Sequence, residues 1–333
     1  MSASRAWALV LAGGSGRRLQ PLTRTASGAA VPKQFCSLGG GPSLLHLALM
    51  RARHVAPAER ILVTLAATHR TWWKDIYQWL PRANVLVEPE QRGTGIGILH
   101  PLLEILQRDP DAVLAILPSD HYVRDESAIA AGLEKAVRLM DAHADRVMLL
   151  GLQPEDADPD LGYIVPAETC GEGVFTVRGF SEKPGADRVA ALLQRGALCN
   201  SFIVVTRAAT LLELFEHQVP AAVARLRIYR DGMRDRSADD AELARLFAAI
   251  PSIDFSSQVI ADVPERLSVL RVAPCGWSDL GTPPRVERVL RRHGVDIQSA
   301  PPAPPAMRGQ LDLAERAVSG DSSVESKTSS LRS

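Results

Sequence analysis

Short, almost wholly apolar segments alternate with segments of helical period through the first 150 residues, and this alternation limits the folds open to the chain. Residues 7–12, 61–65, 113–117 and 147–150 show almost no polar face. A strand covered on one side alternates apolar and polar residues, whereas a strand covered on both reads as a continuous apolar run. Helical periodicity falls between these runs, over 43–54, 68–80, 95–107 and 126–142, with one further short strand at 85–87. The pattern predicts an α/β fold: a Rossmann-like, mostly parallel sheet with helices on both faces.

Beyond residue 150 the pattern changes. Residues 162–166 and 174–180 read as strands separated by glycine and polar residues, which predicts a small antiparallel insertion. A helix over 187–195, a strand over 201–206 and two or three helices through residue 249 follow. A last strand, 268–272, leads to a closing helix near 284–292. The domain expected is therefore 1–293, with halves 1–150 and 151–293. Residues 294–333, first rich in Pro and Ala and then in Ser, read as a linker and a disordered tail.

Composition excludes several classes. Lys+Arg and Asp+Glu both total 38, so no basic excess advertises nucleic acid as a partner. No run reaches the roughly 18 apolar residues of a membrane span. The apolar run after Arg5 resembles the core of a signal peptide, but a glycine-rich segment and two arginines follow it at once. A first strand and a cytoplasmic protein are expected instead. Cys36, Cys170, Cys199 and Cys275 form no C-x-x-C pair and read as reduced, buried thiols.

The first strand ends in Leu11-Ala12-Gly13-Gly14-Ser15-Gly16-Arg17-Arg18-Leu19. Three glycines allow close approach of an anion, successive N–H groups can cradle phosphate oxygens, and Arg17 and Arg18 add charge-assisted donors. A dinucleotide fingerprint fails here, because the sixth position from Gly14 is Leu19. A P-loop fails because no lysine follows Gly16. With Pro32-Lys33-Gln34-Phe35 downstream, the segment resembles the paired signature of the sugar nucleotidyltransferases, G-G-x-G-x-R-L and P-K-Q. The resemblance implies that Leu11, Ala12, Gly13, Gly14, Gly16 and Arg18 hold a nucleoside triphosphate. It also implies that Lys33 stabilises departing pyrophosphate; Arg17 receives no role.

Asp120 follows an apolar strand in Leu117-Pro118-Ser119-Asp120-His121, at the edge where open α/β sheets bind ligands. Asp279 stands in Trp277-Ser278-Asp279-Leu280-Gly281. Either aspartate alone reads equally well as a helix or turn cap. Their contexts resemble the family's metal ligands, which implies Mg²⁺ held by Asp120 and Asp279 together with substrate phosphates. His121 is not placed on the metal. Phe180-Ser181-Glu182-Lys183-Pro184 resembles the F-x-E-K-P segment, which implies Glu182 on sugar hydroxyls and Lys183 on the sugar phosphate. Gly162, in G-Y-I, and Asn200 are implied at the sugar in the same way.

Finer detail resembles the mannose-1-phosphate guanylyltransferases. Glu88-Pro89-x-x-Arg92-x-Thr94 is similar to their E-P-x-x-R-x-T segment, which implies Glu88, Arg92 and Thr94 at the nucleotide. Ser252-Ile253-Asp254-Phe255 is similar to their S-I-D-Y stretch. The resemblance thus implies a nucleotide-binding half at 1–150 and a sugar-binding half at 151–293. The expected reaction takes GTP and mannose-1-phosphate to GDP-mannose and pyrophosphate, by an enzyme compatible with a homo-oligomer. Three features depart from the pattern: T-A-P-A-I becomes Thr94-Gly95-Ile96-Gly97-Ile98, W-N-S-G-I-F becomes Cys199-Asn200-Ser201-Phe202-Ile203-Val204 with Phe202 at the glycine position, and G-S-W becomes Gly281-Thr282-Pro283. Rival readings are a catalytically weak sugar-nucleotide-binding or regulatory relative and, against the missing third glycine, a NAD-dependent dehydrogenase. The transfer needs no Ser-His-Asp or Cys-His arrangement, and none is expected.

Overall fold

The computed structural model describes residues 6–25, 27–38, 40–232, 240–294 and 297–298. Among these the strands are β1 (Ala6–Ala12), β2 (Ser37–Leu38), β3 (Ile61–Ala66), β4 (Val85–Glu88), β5 (Val113–Pro118) and β6 (Val147–Leu152). They continue as β7 (Gly162–Gly171), β8 (Val174–Glu182), β9 (Leu198–Arg207), β10 (Leu267–Val272) and β11 (Ile297–Gln298). The α-helices are α1 (Leu44–Arg53), α2 (Gly93–Arg108), α3 (Glu126–Leu139) and α4 (Ala186–Gln194). After them come α5 (Ala208–Gln218), α6 (Pro220–Gly232), α7 (Asp240–Ala249) and α8 (Pro283–His293).

One sheet takes the order β4-β3-β1-β5-β9-β6-β10-β8-β7. Seven of its nine strands share a direction, and β8 and β9 are reversed. β9 comes from the second half of the chain yet lies between β5 and β6 of the first, pairing antiparallel with both. β7 pairs with β8 and also returns to β9 through Tyr163↔Cys199 and Ile164↔Leu198. That closure makes the antiparallel insertion a wall of the same sheet.

Alternation along β1 explains the layers. Ala6, Ala8, Val10 and Ala12 point into a core shared with α1 and α3 residues such as Leu45, Leu49, Ile129 and Leu133. Trp7 and Leu9 point into a second core, with Ile98, Leu102, Leu211 and Phe215 from α2 and α5. A smaller cluster of Leu19, Leu44, Leu280, Val286 and Val289 seats α8 against the start of α1.

The helix expected over 68–80 is instead two short 3₁₀ segments, Ala67–Trp72 and Lys74–Gln78. Trp73 separates them. Its side chain is buried, its indole Nε1 donates to the Ala66 carbonyl at 3.2 Å, and its backbone leaves helical geometry at φ −123° and ψ 24°. Burying that ring outweighs continuing the α-ladder. Most of the expected tail lies outside the described residues; Ile297–Gln298 pairs antiparallel with Ser37–Leu38. Three cysteines are buried as expected, but Cys170 is exposed on the β7–β8 hairpin, where no core covers it. Among the described residues no helix is long and apolar enough to cross a membrane.

Arg51 joins this scaffold to the loop after β5. Its Nε and Nη2 donate to the Glu126 carboxylate at 2.6 and 2.7 Å, and Nη2 also donates to the His121 carbonyl at 3.3 Å. Arg51→Ala should lower the unfolding free energy by about 2 kcal/mol, the range of charge-assisted hydrogen bonds to a half-exposed partner. Urea denaturation of the two proteins measures the difference.

Candidate active site

A cleft of about 460 Å³ opens at the carboxyl edge of β1, β4 and β5, lined among others by Leu11, Gly13, Gly14, Glu88, Thr94 and Asp120. The glycine loop holds its shape through Gln34. That buried amide donates from Nε2 to the Ala12 carbonyl at 2.9 Å and to the Gly14 carbonyl at 2.8 Å. After the loop comes a 3₁₀ turn, Arg17–Leu19, and not the helix whose N-terminus a dinucleotide fold aims at pyrophosphate. Gly16, at φ 58°, packs its α-carbon over the Lys33 backbone.

Glu88, the last residue of β4, forms part of the cleft wall. It is 5% exposed, its Oε1 has no hydrogen-bond partner, and burial pushes its carboxyl up to about 7. A Cβ at position 13 would stand 2.9 Å from Glu88 Oε2, so the carboxyl and the loop meet only because Gly13 has none. Thr94 Oγ1, at the start of α2, accepts from Phe255 N at 2.9 Å, and Gly95 N donates to the Ile253 carbonyl at 2.8 Å. The segments around Glu88 and Ile253 thus form one wall.

Lys33 joins the two aspartates. Its Nζ pairs with Asp120 Oδ2 at 2.8 Å and donates to the Asp279 carbonyl at 2.6 Å. Reciprocal backbone bonds between Tyr122 and Ser278, both 2.9 Å, fasten the same two loops. Burial alone would raise the Asp120 carboxyl, but the Lys33 ammonium, with help from His121, holds it below the usual carboxylate range. Burial pushes His121 down to about 4. Trp277 Nε1 donates to its Nδ1 at 3.2 Å, which suits a neutral ring protonated at Nε2.

Asp279 is oriented from behind. Its Oδ1 accepts from Gly281 N at 3.0 Å and pairs with Arg285, which also grips Asp158 through Nε at 2.9 Å and Nη2 at 2.7 Å. No sequence motif marked Arg285 or gave Gln34 a role. Arg285 reads as one of many arginines on a closing helix, and Gln34 as only the third letter of P-K-Q. Among the described residues no three His, Cys, Asp or Glu side chains cluster as a metal site. An Asp120 carboxylate kept ionised, on a loop fastened to the one that carries Asp279, nevertheless offers the oxygen donors that suit a hard cation taking its remaining oxygens from phosphates. The residues fit Mg²⁺.

Gly162, Glu182 and Asn200 also converge. Gly162 pairs with Glu182 across β7 and β8, and a Cβ on it would lie 2.6 Å from Glu182 Oε2 and 3.3 Å from Asn200 Cβ. Lys183 is half exposed, with Nζ 3.3 Å from Glu182 Oε1. Two expected residues stand apart. Arg18 is exposed outside the cleft lining, and Arg92 gives its Nη2 to Glu90 at 2.8 Å and to the Ala248 carbonyl at 3.2 Å. Apart from Glu172 at a hairpin tip, the non-glycine residues with positive φ among those described are Lys183, Phe202 and Leu280. Each adjoins an expected site residue, and strain of this kind gathers at functional sites.

One Ser-His-Asp grouping does occur, against expectation. Ser43 Oγ lies 2.8 Å from His46 Nδ1, and His46 Nε2 lies 3.3 Å from Asp75 Oδ2. Ser43 is the N-cap of α1, accepting from His46 N, and both residues are buried. Its hydroxyl is engaged by the helix N-terminus and the His46 ring, and none of the three residues lines the cleft.

A glycine loop at the carboxyl edge of such a sheet defines a nucleotide-binding α/β protein. Residues 7–291 match the family described as nucleotidyl transferase, and the chain belongs to that family. It is 34% identical over 284 residues to the xanthan biosynthesis protein XanB of Xanthomonas campestris, covering 82% of this chain and 57% of that protein. It is 30% identical over 306 residues to the mannose-1-phosphate guanylyltransferase of Escherichia coli K12, covering 85% and 59%. The chain therefore spans less than two thirds of these relatives' length. A crystal structure described as mannose-1-phosphate geranyltransferase from Thermus thermophilus superposes with a TM-score of 0.74 at 28% identity, covering 86% of this chain and 79% of the other.

Glu88 generates a stability prediction. Its folded pKa, about 7, exceeds the ordinary value of about 4.3. Its neutral form is therefore favoured by folding, and stability is greatest below the ordinary value and lost as pH rises through about 7. Glu88→Gln removes that loss. The variant should be more stable than the parent by about 1–3 kcal/mol at pH ~8 and nearly equal to it at pH ~4. Chemical denaturation at both pH values checks the sign and the widening gap.

Proposed function

We propose that the chain transfers a guanylyl group from GTP to mannose-1-phosphate, giving GDP-mannose and pyrophosphate. The observation that carries the base assignment is the buried, unpartnered carboxyl of Glu88 in the cleft wall. Guanine presents adjacent N1–H and N2–H donors that a carboxylate accepts together. Adenine and the pyrimidines lack that pair, and an unmatched buried carboxylate discriminates against them. The match to the named guanylyltransferases supports the same reading.

The chemistry asks for placement and charge. A sugar-1-phosphate is largely dianionic at neutral pH, its second pKa being about 6 by analogy with phosphorylated side chains. Its oxygen can attack the α-phosphorus with no proton to remove. One O–P bond forms, the P–O bond bridging the α- and β-phosphates breaks, and pyrophosphate leaves with the bonding pair. The glycine loop, held by Gln34, orients the triphosphate. Lys33 lies beside Asp120, where its charge can stabilise the departing phosphates. Lys183 and Arg18, both open to solvent, are assigned to the sugar phosphate and the triphosphate. Asp120 and Asp279 would hold Mg²⁺, with Arg285 fixing the second carboxylate; bound there, the ion supplies charge neutralisation between the two anions. Glu182 and Asn200 are assigned to sugar hydroxyls.

Purified protein given Mg²⁺, mannose-1-phosphate and each nucleoside triphosphate in turn should release pyrophosphate with GTP. Asp120→Asn and Asp279→Asn should each lower kcat/KM by about 10²-fold or more, the scale of losing one preorganised charge contact. Release with a different triphosphate would overturn the base assignment. GDP-mannose binding with no release from any sugar phosphate would identify a binding or regulatory relative instead.

A further inference from the structure

Phe202 occupies a position for which its residue type is poorly suited. Its backbone is left-handed, at φ 57°, a region bulky side chains avoid. The cause is a bulge. Along β9, Asn200 pairs with Gly151 and Val204 with Leu149, so Ser201, Phe202 and Ile203 stand opposite Leu150 alone. Polar side chains hold the distortion in place. Ser201 Oγ donates to the Leu150 carbonyl at 2.6 Å and accepts from Ile203 N at 3.1 Å, while Phe202 N donates to Asn200 Oδ1 at 3.0 Å. Bulges beside sites re-aim a side chain, and this one brings the Phe202 ring to the cleft wall that also holds Gly13, Glu88, Thr94 and Asp120.

The ring has a neighbour on each side. Toward the nucleotide end it meets Phe255 edge-on, with centroids 6.0 Å apart, and Phe255 N is bonded to Thr94. Toward the other end, two residues back along β9, the Asn200 side chain abuts Gly162 beside Glu182. The ring is only half buried, packed at the margin of the core that holds Phe255 and Phe215. A strained, half-buried aromatic between a triphosphate cleft and a group of sugar-type ligands limits what fits beside it.

We infer that Phe202 determines acceptor specificity: its ring walls the sugar subsite and excludes hexose-1-phosphates carrying a bulky N-acyl substituent. The inference rests on the transferase reading above. Removing the ring would open space in the cleft wall, while the bulge is fastened by Ser201 and Asn200 through bonds that do not involve the ring.

The test compares the parent with Phe202→Gly and Phe202→Asn, both residues that accept positive φ. Pyrophosphate release is measured with GTP and either mannose-1-phosphate or N-acetylglucosamine-1-phosphate. Calorimetric binding of the two sugar phosphates is measured alongside. Each variant is first checked for a cooperative melt, and Asn serves if Gly does not fold. The ratio of kcat/KM for the N-acetylated over the plain sugar should rise by at least about tenfold in the variants, as removing a steric clash in a specificity pocket would give. The binding ratio should move the same way. An unchanged ratio in a folded variant, with both sugars weakened alike, would overturn the inference. If the parent releases no pyrophosphate with any substrate, the transferase reading fails, and the binding ratio alone then decides the role of Phe202.

Discussion

The geometry of the cleft depends on one buried ammonium. Lys33 touches the Asp120 carboxylate and the Asp279 carbonyl, groups brought in by loops from widely separated parts of the chain. Without a cation between them, an ionised Asp120 would face the oxygen-rich loop around Asp279 with its desolvation uncompensated. Lys33 itself is placed by a 3₁₀ turn, Lys33–Phe35, whose backbone packs against Gly16 of the phosphate loop. Loop shape, the ionisation of Asp120 and the position of the Asp279 backbone are therefore set together. A change at any one is felt by the other two.

Charge is matched similarly around the second aspartate. Arg285 lies between Asp279 and Asp158, and two further arginines of α8, Arg288 and Arg292, pair with Asp156 and Glu155. The outer pairs are well exposed and contribute little to stability. The inner one is buried and, with Gly281 N, holds Asp279 Oδ1. A closing helix thus serves as the rear support of the loop that carries Asp279.

Much of this was legible in the sequence because burial leaves a strong imprint. Strands covered on both faces announced themselves as apolar runs, and each of β1, β3, β5 and β6 falls within two residues of its expected bounds. The 67–78 region misled because tryptophans at helical spacing look like one amphipathic helix until Trp73 is seen to prefer the core. Glycine motifs pointed to the loop, but Gln34 could be given its task only once two carbonyls were seen within reach of one amide. Arg92 shows the opposite limit. Its motif placed it beside the nucleotide, while its guanidinium is engaged with Glu90 and the end of α7, a contact 156 positions away that periodicity does not reveal.

The placement of β9 has a consequence for how the protein is made. β5 and β6 are translated early, and β5 can pair with β1, but the gap between β5 and β6 stays open until residues 198–207 have emerged and slipped between them. Until then each leaves an edge of unpaired amides and carbonyls beside a greasy face, the kind of surface on which nascent chains stick to one another. Such long-range pairing also slows folding. The ribosome must therefore deliver residue 207 before β5 and β6 are joined and residue 272 before β10 covers the far edge of β6, and a pause just short of Arg207 leaves both edges of β6 open.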